Sequence, residues 1–124
     1  MFDELIDECK EMSRRAKEVS KVRFYVSFSD EKMENWANAV EYGNEKRAPK
    51  PFMRVTEEEN RVVWRDVQQA GLSEYIMDGE DGGMTLSDKC AEIAFSMEED
   101  YKKTAEEMGV NKKIIDDIRV LFEC

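Results

Sequence analysis

The chain has 124 residues, 41% hydrophobic and 39% charged, with a formal net charge of −10 and no histidine. That length fits one domain with one modest core, and no apolar run approaches the roughly 20 residues needed to cross a bilayer. The acidic balance argues against sequence-independent DNA binding, which depends on cations meeting phosphates, and the acidic start Met-Phe-Asp-Glu is not that of a secretory signal.

Residues 2–19 form the clearest helix. Phe2, Leu5, Ile6, Cys9, Met12, Ala16 and Val19 recur at helical spacing as one apolar stripe. Asp3, Glu4 and Asp7 crowd its start and Arg14, Arg15 and Lys17 its end, matching the macrodipole. The stripe predicts a packing helix. From Val22 to Phe28 the period changes to two, with Val22, Phe24, Val26 and Phe28 on one side, which predicts a strand with one buried face. Asp30 is placed to cap a short helix over 31–39. Residues 36–42 fit helix or strand, and Val40 and Tyr42 lean towards a strand pairing with the first.

Residues 40–54, Val-Glu-Tyr-Gly-Asn-Glu-Lys-Arg-Ala-Pro-Lys-Pro-Phe-Met-Arg, hold both prolines and four basic residues, Lys46, Arg47, Lys50 and Arg54. Gly43 accepts positive φ and Asn44 tolerates a turn. Pro49 and Pro51 push Ala48 and Lys50 towards extended conformations. The segment therefore reads as a Gly-Asn turn, a basic loop and a rigid exit, with Phe52 and Met53 docking on the body. A solvated connection with an apolar anchor is the plain structural reading of such a loop.

Thr56 and Glu59 then have the form of a capping box, predicting a helix from 57 that buries Val63, Trp64 and Val67 and ends at Gly71. A short helical continuation follows over 72–77. Residues 79–85 are a Gly-rich linker. They do not make a calcium loop, because the glycine is misplaced and Lys89 stands where the bidentate Glu belongs. Thr85 and Asp88 cap a long helix to Met108, with Gly109 as its stop. Asn111 caps a last helix carrying Ile114, Ile115, Ile118, Leu121 and Phe122. The expected fold is α+β: a small antiparallel sheet packed against an N-terminal helix and two or three C-terminal helices. One domain spans 1–124, with a body over 1–78, the linker, and C-terminal helices over 86–124.

Cys9, Cys90 and Cys124 lie far apart with no CxxC pair, so reduced thiols are expected, Cys9 and Cys90 as small core residues and Cys124 free to pair between chains. A zinc site would need a carboxylate ligand, and neither a Ser-His-Asp nor a Cys-His arrangement can be built without histidine. No phosphate-binding glycine loop follows the strand. The paired acids Glu57–Glu59, Glu98–Asp100, Glu106–Glu107 and Asp116–Asp117 read as solvated helix faces. No enzyme, cofactor or metal is expected. What remains is interaction: a basic loop in one copy can engage an acidic helix in the next, a heterologous contact that closes by rotation.

Glu41-Tyr-Gly43, a short polar loop, Pro49-Lys-Pro-Phe-Met-Arg54 and a following helix resemble the tail-completion, or head–tail joining, proteins of tailed bacteriophages. There the stretch runs roughly Glu-aromatic-Gly-Thr, a loop, then Pro-Ala/Pro-Arg-Pro-Phe-hydrophobic-Arg. The order of elements covers most of the chain, but about fifteen residues carry the specific likeness. Asn44 stands where Thr or Ser is usual, and Lys50 where Arg is usual, which keeps the charge but loses the planar fork. The segment 114–124 has no counterpart. The resemblance implies that Glu41, Gly43, Pro49, Lys50, Pro51, Phe52 and Arg54 form a structural signature and part of a subunit contact, which Lys46 and Arg47 extend. It implies a non-enzymatic virion protein of the neck or upper tail, assembled in the host cytoplasm. Its partners would be its own copies, as a hexameric ring around the DNA channel, and neighbouring neck, tail-terminator or tail-tube proteins, without specific nucleic acid or membrane binding. The acidic balance suits a channel that repels phosphates. A small acidic regulator or decoy binding a basic protein surface is the alternative.

Overall fold

The computed structural model describes residues 2–79 and 84–124. Five helices and two strands follow one another as α1 (Phe2–Ser20), β1 (Arg23–Ser27), α2 (Glu31–Tyr42), α3 (Phe52–Asp78), α4 (Leu86–Glu107), α5 (Lys112–Asp117) and β2 (Arg119–Glu123). The architecture is α+β, with a two-stranded antiparallel sheet set against helices. Its core lies where α3 and α4 pack lengthwise, closed at one end by α2, α5 and the sheet.

The sheet pairs Arg23 with Glu123 and Ser27 with Arg119, so Phe24 faces Phe122 across the strands with ring centroids 6.4 Å apart. This corrects two expectations. Residues 40–42 belong to α2, whose amino-terminal N–H groups are met by Asp30: its Oδ1 accepts from the Met33 N–H at 2.8 Å. The partner of β1 is instead the carboxyl-terminal segment, where Ile118 ends α5 in extended geometry and the chain turns to period two. Val120 and Phe122 point inward there, and Leu121 points out.

α3 also differs from expectation. It starts at Phe52, and Thr56 lies a turn inside it, fully buried, its hydroxyl donating to the Phe52 carbonyl at 2.6 Å. It does not stop at Gly71. A Cβ there would lie 3.7 Å from Ile93 of α4, so the glycine sits at the close face of the two helices while Leu72 and Tyr75 continue the buried row. Trp64 is buried as expected. Val63 and Val67 are exposed, because they lie off the stripe of Phe52, Thr56, Trp64, Leu72 and Tyr75. Trp64 packs against Tyr101 with ring centroids 5.3 Å apart and planes tilted by 41°, and donates through Nε1 to Asp100 at 2.7 Å, while the Tyr101 hydroxyl donates to Glu57 at 2.9 Å.

Gly79 ends α3 with φ 72°; residues 80–83 of the expected linker lie outside the described residues, and its last residue, Thr85, caps α4. α4 begins with the full Thr85–Asp88 capping box, and Asn111 Oδ1 caps α5 through the Lys113 N–H, both as the sequence foretold. α1 does not pack as a core helix. None of its residues is buried, and Phe2, Leu5, Ile6 and Cys9 are exposed. It is tied to the body near its end, where Arg15 Nε donates to the Ile76 carbonyl at 2.9 Å and the Tyr75 hydroxyl to Glu18 at 2.7 Å.

Candidate functional site

The signature residues of segment 41–54 lie in the last turn of α2, the loop after it and the first turn of α3, and their geometry starts from an accounting problem. A helix begins with N–H groups that lack intrahelical partners. The residue before α3 is Pro51, which has no side-chain acceptor, so no local residue can cap this helix. Glu41, in the last turn of α2, supplies the acceptors: Oε2 takes the Met53 N–H at 2.9 Å and Oε1 the Arg54 N–H at 3.0 Å. The carboxylate is 5% exposed, so its charge is placed in a nearly dry environment against the positive end of α3.

The loop between them is shaped by three further features. Gly43 caps α2 with φ 71°, its N–H donating to the Ala39 carbonyl at 2.9 Å. A Cβ at that position would stand 2.6 Å from the nitrogen of Pro49 and 2.9 Å from the Arg47 carbonyl oxygen, so both the conformation and the space demand glycine. Asn44 accepts from the N–H groups of Lys46 and Arg47 at 2.8 and 2.9 Å, an Asx turn that presents the two cations at the tip. The returning segment is fastened by the Lys50 N–H on the Val40 carbonyl at 2.8 Å. Phe52 then enters the core with no exposed surface, and Met53 packs beside it.

The structure thus gathers Glu41, Gly43, Pro49, Lys50, Pro51 and Phe52 into one joint. Lys50 leans inward and donates through Nζ to the Gly109 carbonyl at 2.9 Å, at the carboxyl end of α4, a placement favoured by the helix dipole. Lys46, Arg47 and Arg54 are exposed. Their side chains make no hydrogen bond or ion pair among the described residues. The site therefore has an inner set that holds the joint and an outer set of free cations.

Sequence reasoning missed two parts of it. The capping role of Glu41 was available from the lack of any Ser, Thr, Asp or Asn before Phe52. The cleft beside the joint had no such signal: about 650 Å³ in volume, it is lined by Trp36, Val40, Asn44, Arg47, Lys50 and Val110, brought together by α2, the loop and the α4–α5 turn. Trp36, Val40 and Val110 give it an apolar part and Asn44, Asn111, Arg47 and Lys50 a polar and cationic one, which suits an apolar segment with acidic neighbours. Among the described residues no group of three metal-binding side chains occurs, and no helix is long and apolar enough to cross a membrane.

Cys90 is fully buried on α4, and burial, with the Cys124 thiol hydrogen-bonded beside it, pushes its pKa up to about 12. Cys9 and Cys124 are exposed, which corrects the expectation that Cys9 is a core residue. No family model, curated protein or solved structure matches this chain.

Proposed function

We propose that this protein is a structural, non-catalytic subunit of a tailed-phage neck or upper tail, a ring that joins head and tail around the DNA channel. The observation that carries this reading is the joint itself. Four of the six framework residues that resemble the tail-completion signature have a physical task in one compact unit: Glu41 caps α3, Gly43 gives room to Pro49, Lys50 closes on Gly109 and Phe52 anchors the core. A short likeness that fell on unrelated parts of a fold would carry little. One whose residues depend on each other carries more.

In this reading the outer cations Lys46, Arg47 and Arg54 are left for contact between subunits, and the partners beyond the ring are neighbouring neck, tail-terminator or tail-tube proteins. The formal charge of −10 keeps the ring from holding passing DNA. Electron microscopy of virions labelled with an antibody against this chain tests the assignment. Label at the head–tail junction is the expected result; purified virions that carry no label, or carry it elsewhere, contradict it.

A further inference from the structure

Two unmatched surfaces lie at opposite ends of α3. The first is the amino-terminal half of α1. Phe2, Leu5 and Ile6 are 81%, 56% and 50% exposed, and Cys9 is exposed one turn on. Asp3, Glu4, Asp7 and Glu8 flank them at the helix start, while Lys10, Arg14 and Lys17 line the same face further along. The hydrogen bonds that tie α1 to α3 among the described residues are all at the carboxyl end of α3, at Tyr75, Ile76 and Met77. The second surface is the cleft beside the first turn of α3, apolar at Trp36, Val40 and Val110 and cationic at Arg47 and Lys50. The 27 residues of α3 put its two ends about 40 Å apart.

We propose that the amino-terminal half of α1 of one copy seats in the Trp36–Arg47–Lys50 cleft of a second copy. The proposal deepens the ring reading above and rests on it for the closure of the series. Chemistry favours this occupant, because each surface sets apolar side chains beside charged ones, and the first two turns of α1 are acidic where the cleft is cationic. In a chain of net charge −10, residues 46–54 carry four cations and no acid, and an acidic helix end from another copy is drawn to them before docking. Position supplies the rest. Each copy presents one helix end and one cleft on opposite sides, so the contact is heterologous and repeats from copy to copy; it gives a ring when the rotation closes. Exposed apolar area on a helix half with no cover among the described residues is the driving surface.

α1 could instead pair with α1 of another copy, its acidic start against the Arg14–Lys17 end. That arrangement is isologous and stops at two. Cysteine linkage separates the possibilities. Ala48→Cys, at the exposed side of the cleft, is placed in a Cys124→Ser background, leaving Cys9 as the thiol of α1. Oxidation with oxidised glutathione should then give covalent dimers and longer multimers that Cys9→Ser and Ile6→Glu both abolish. Arg47→Glu should lower the yield about tenfold, and adding Asp3→Lys and Glu4→Lys should recover most of it. Dimers that form through Cys9 without the thiol introduced in the cleft overturn the proposal, as does a protein in which Cys9 gives no link to that thiol. A ring seen by native mass spectrometry without that link overturns this contact and leaves the ring reading standing. An open-ended ladder with the link upholds the contact and counts against closure.

Discussion

Glu41 and Arg54 belong to different helices, yet the carboxylate of one is the cap of the other: Oε1 of Glu41 accepts the Arg54 N–H at 3.0 Å, while Oε2 takes the neighbouring Met53 N–H at 2.9 Å. This pair fixes the entry of α3 against the last turn of α2, so the loop between them is held at both ends. Replacing Glu41 by alanine strips two N–H groups of their acceptor in a nearly buried place. The expected loss is about 2–4 kcal/mol in urea unfolding. Glu41→Gln, which keeps the shape but loses the charge, should cost less than Glu41→Ala. Equal losses would mean that the shape alone contributes nothing, and a Glu41→Gln protein as stable as wild type would mean that the charge contributes nothing.

Gly43 is the second fixed point. With φ 71° and Pro49 in the space a side chain would need, Gly43→Ala should destabilise by about 1–3 kcal/mol. The same measurement on Gly71→Ala is the control. A Cβ there meets Ile93 at an ordinary 3.7 Å and helix propensity rises, so little or no loss is expected.

Phe52 has no exposed surface, and its truncation to alanine leaves a cavity under the first turn of α3. The expected cost is about 3–5 kcal/mol. Arg54→Glu changes an exposed side chain beyond the same turn, so its folding midpoint should stay close to wild type while self-association falls. An Arg54→Glu protein that assembles as wild type removes that cation from the contact.

The joint was partly legible in the sequence. Proline and glycine placement announced a rigid loop, and the Thr85–Asp88 and Asn111 caps were read correctly, because each depends on residues three or fewer apart. Thr56 misled for the opposite reason: its spacing to Glu59 matched a capping box, but a residue from α2 had already capped the helix a turn earlier. β2 was hidden because Ile114, Ile115 and Ile118 continue into Leu121 and Phe122 at spacings a helix also satisfies. Its strand character comes from pairing with β1, nearly the whole chain away. The stripe of α1 was amphipathic as read, but periodicity does not say what covers a face.

The thiols give a pH prediction. The Cys90 pKa lies near 12 against an ordinary 9.0, and burial together with the Glu57 carboxylate moves Tyr101 upward as well. Both groups favour the protonated state in the fold. Their stabilising contribution is whole below the unfolded pKa and declines as pH rises beyond it, so the thermal midpoint should begin to fall near pH 9. A thiol-reactive dye at pH 8 should modify Cys9 and Cys124 quickly and Cys90 only on unfolding. Three fast thiols would contradict the buried position of Cys90.

Ring assembly is open to native mass spectrometry of the purified chain across a range of concentrations, with and without reductant. The expected result is a hexameric species that grows with concentration and survives reductant, since the proposed contact is non-covalent. A chain that stays monomeric, or stops at a dimer, at every concentration contradicts it.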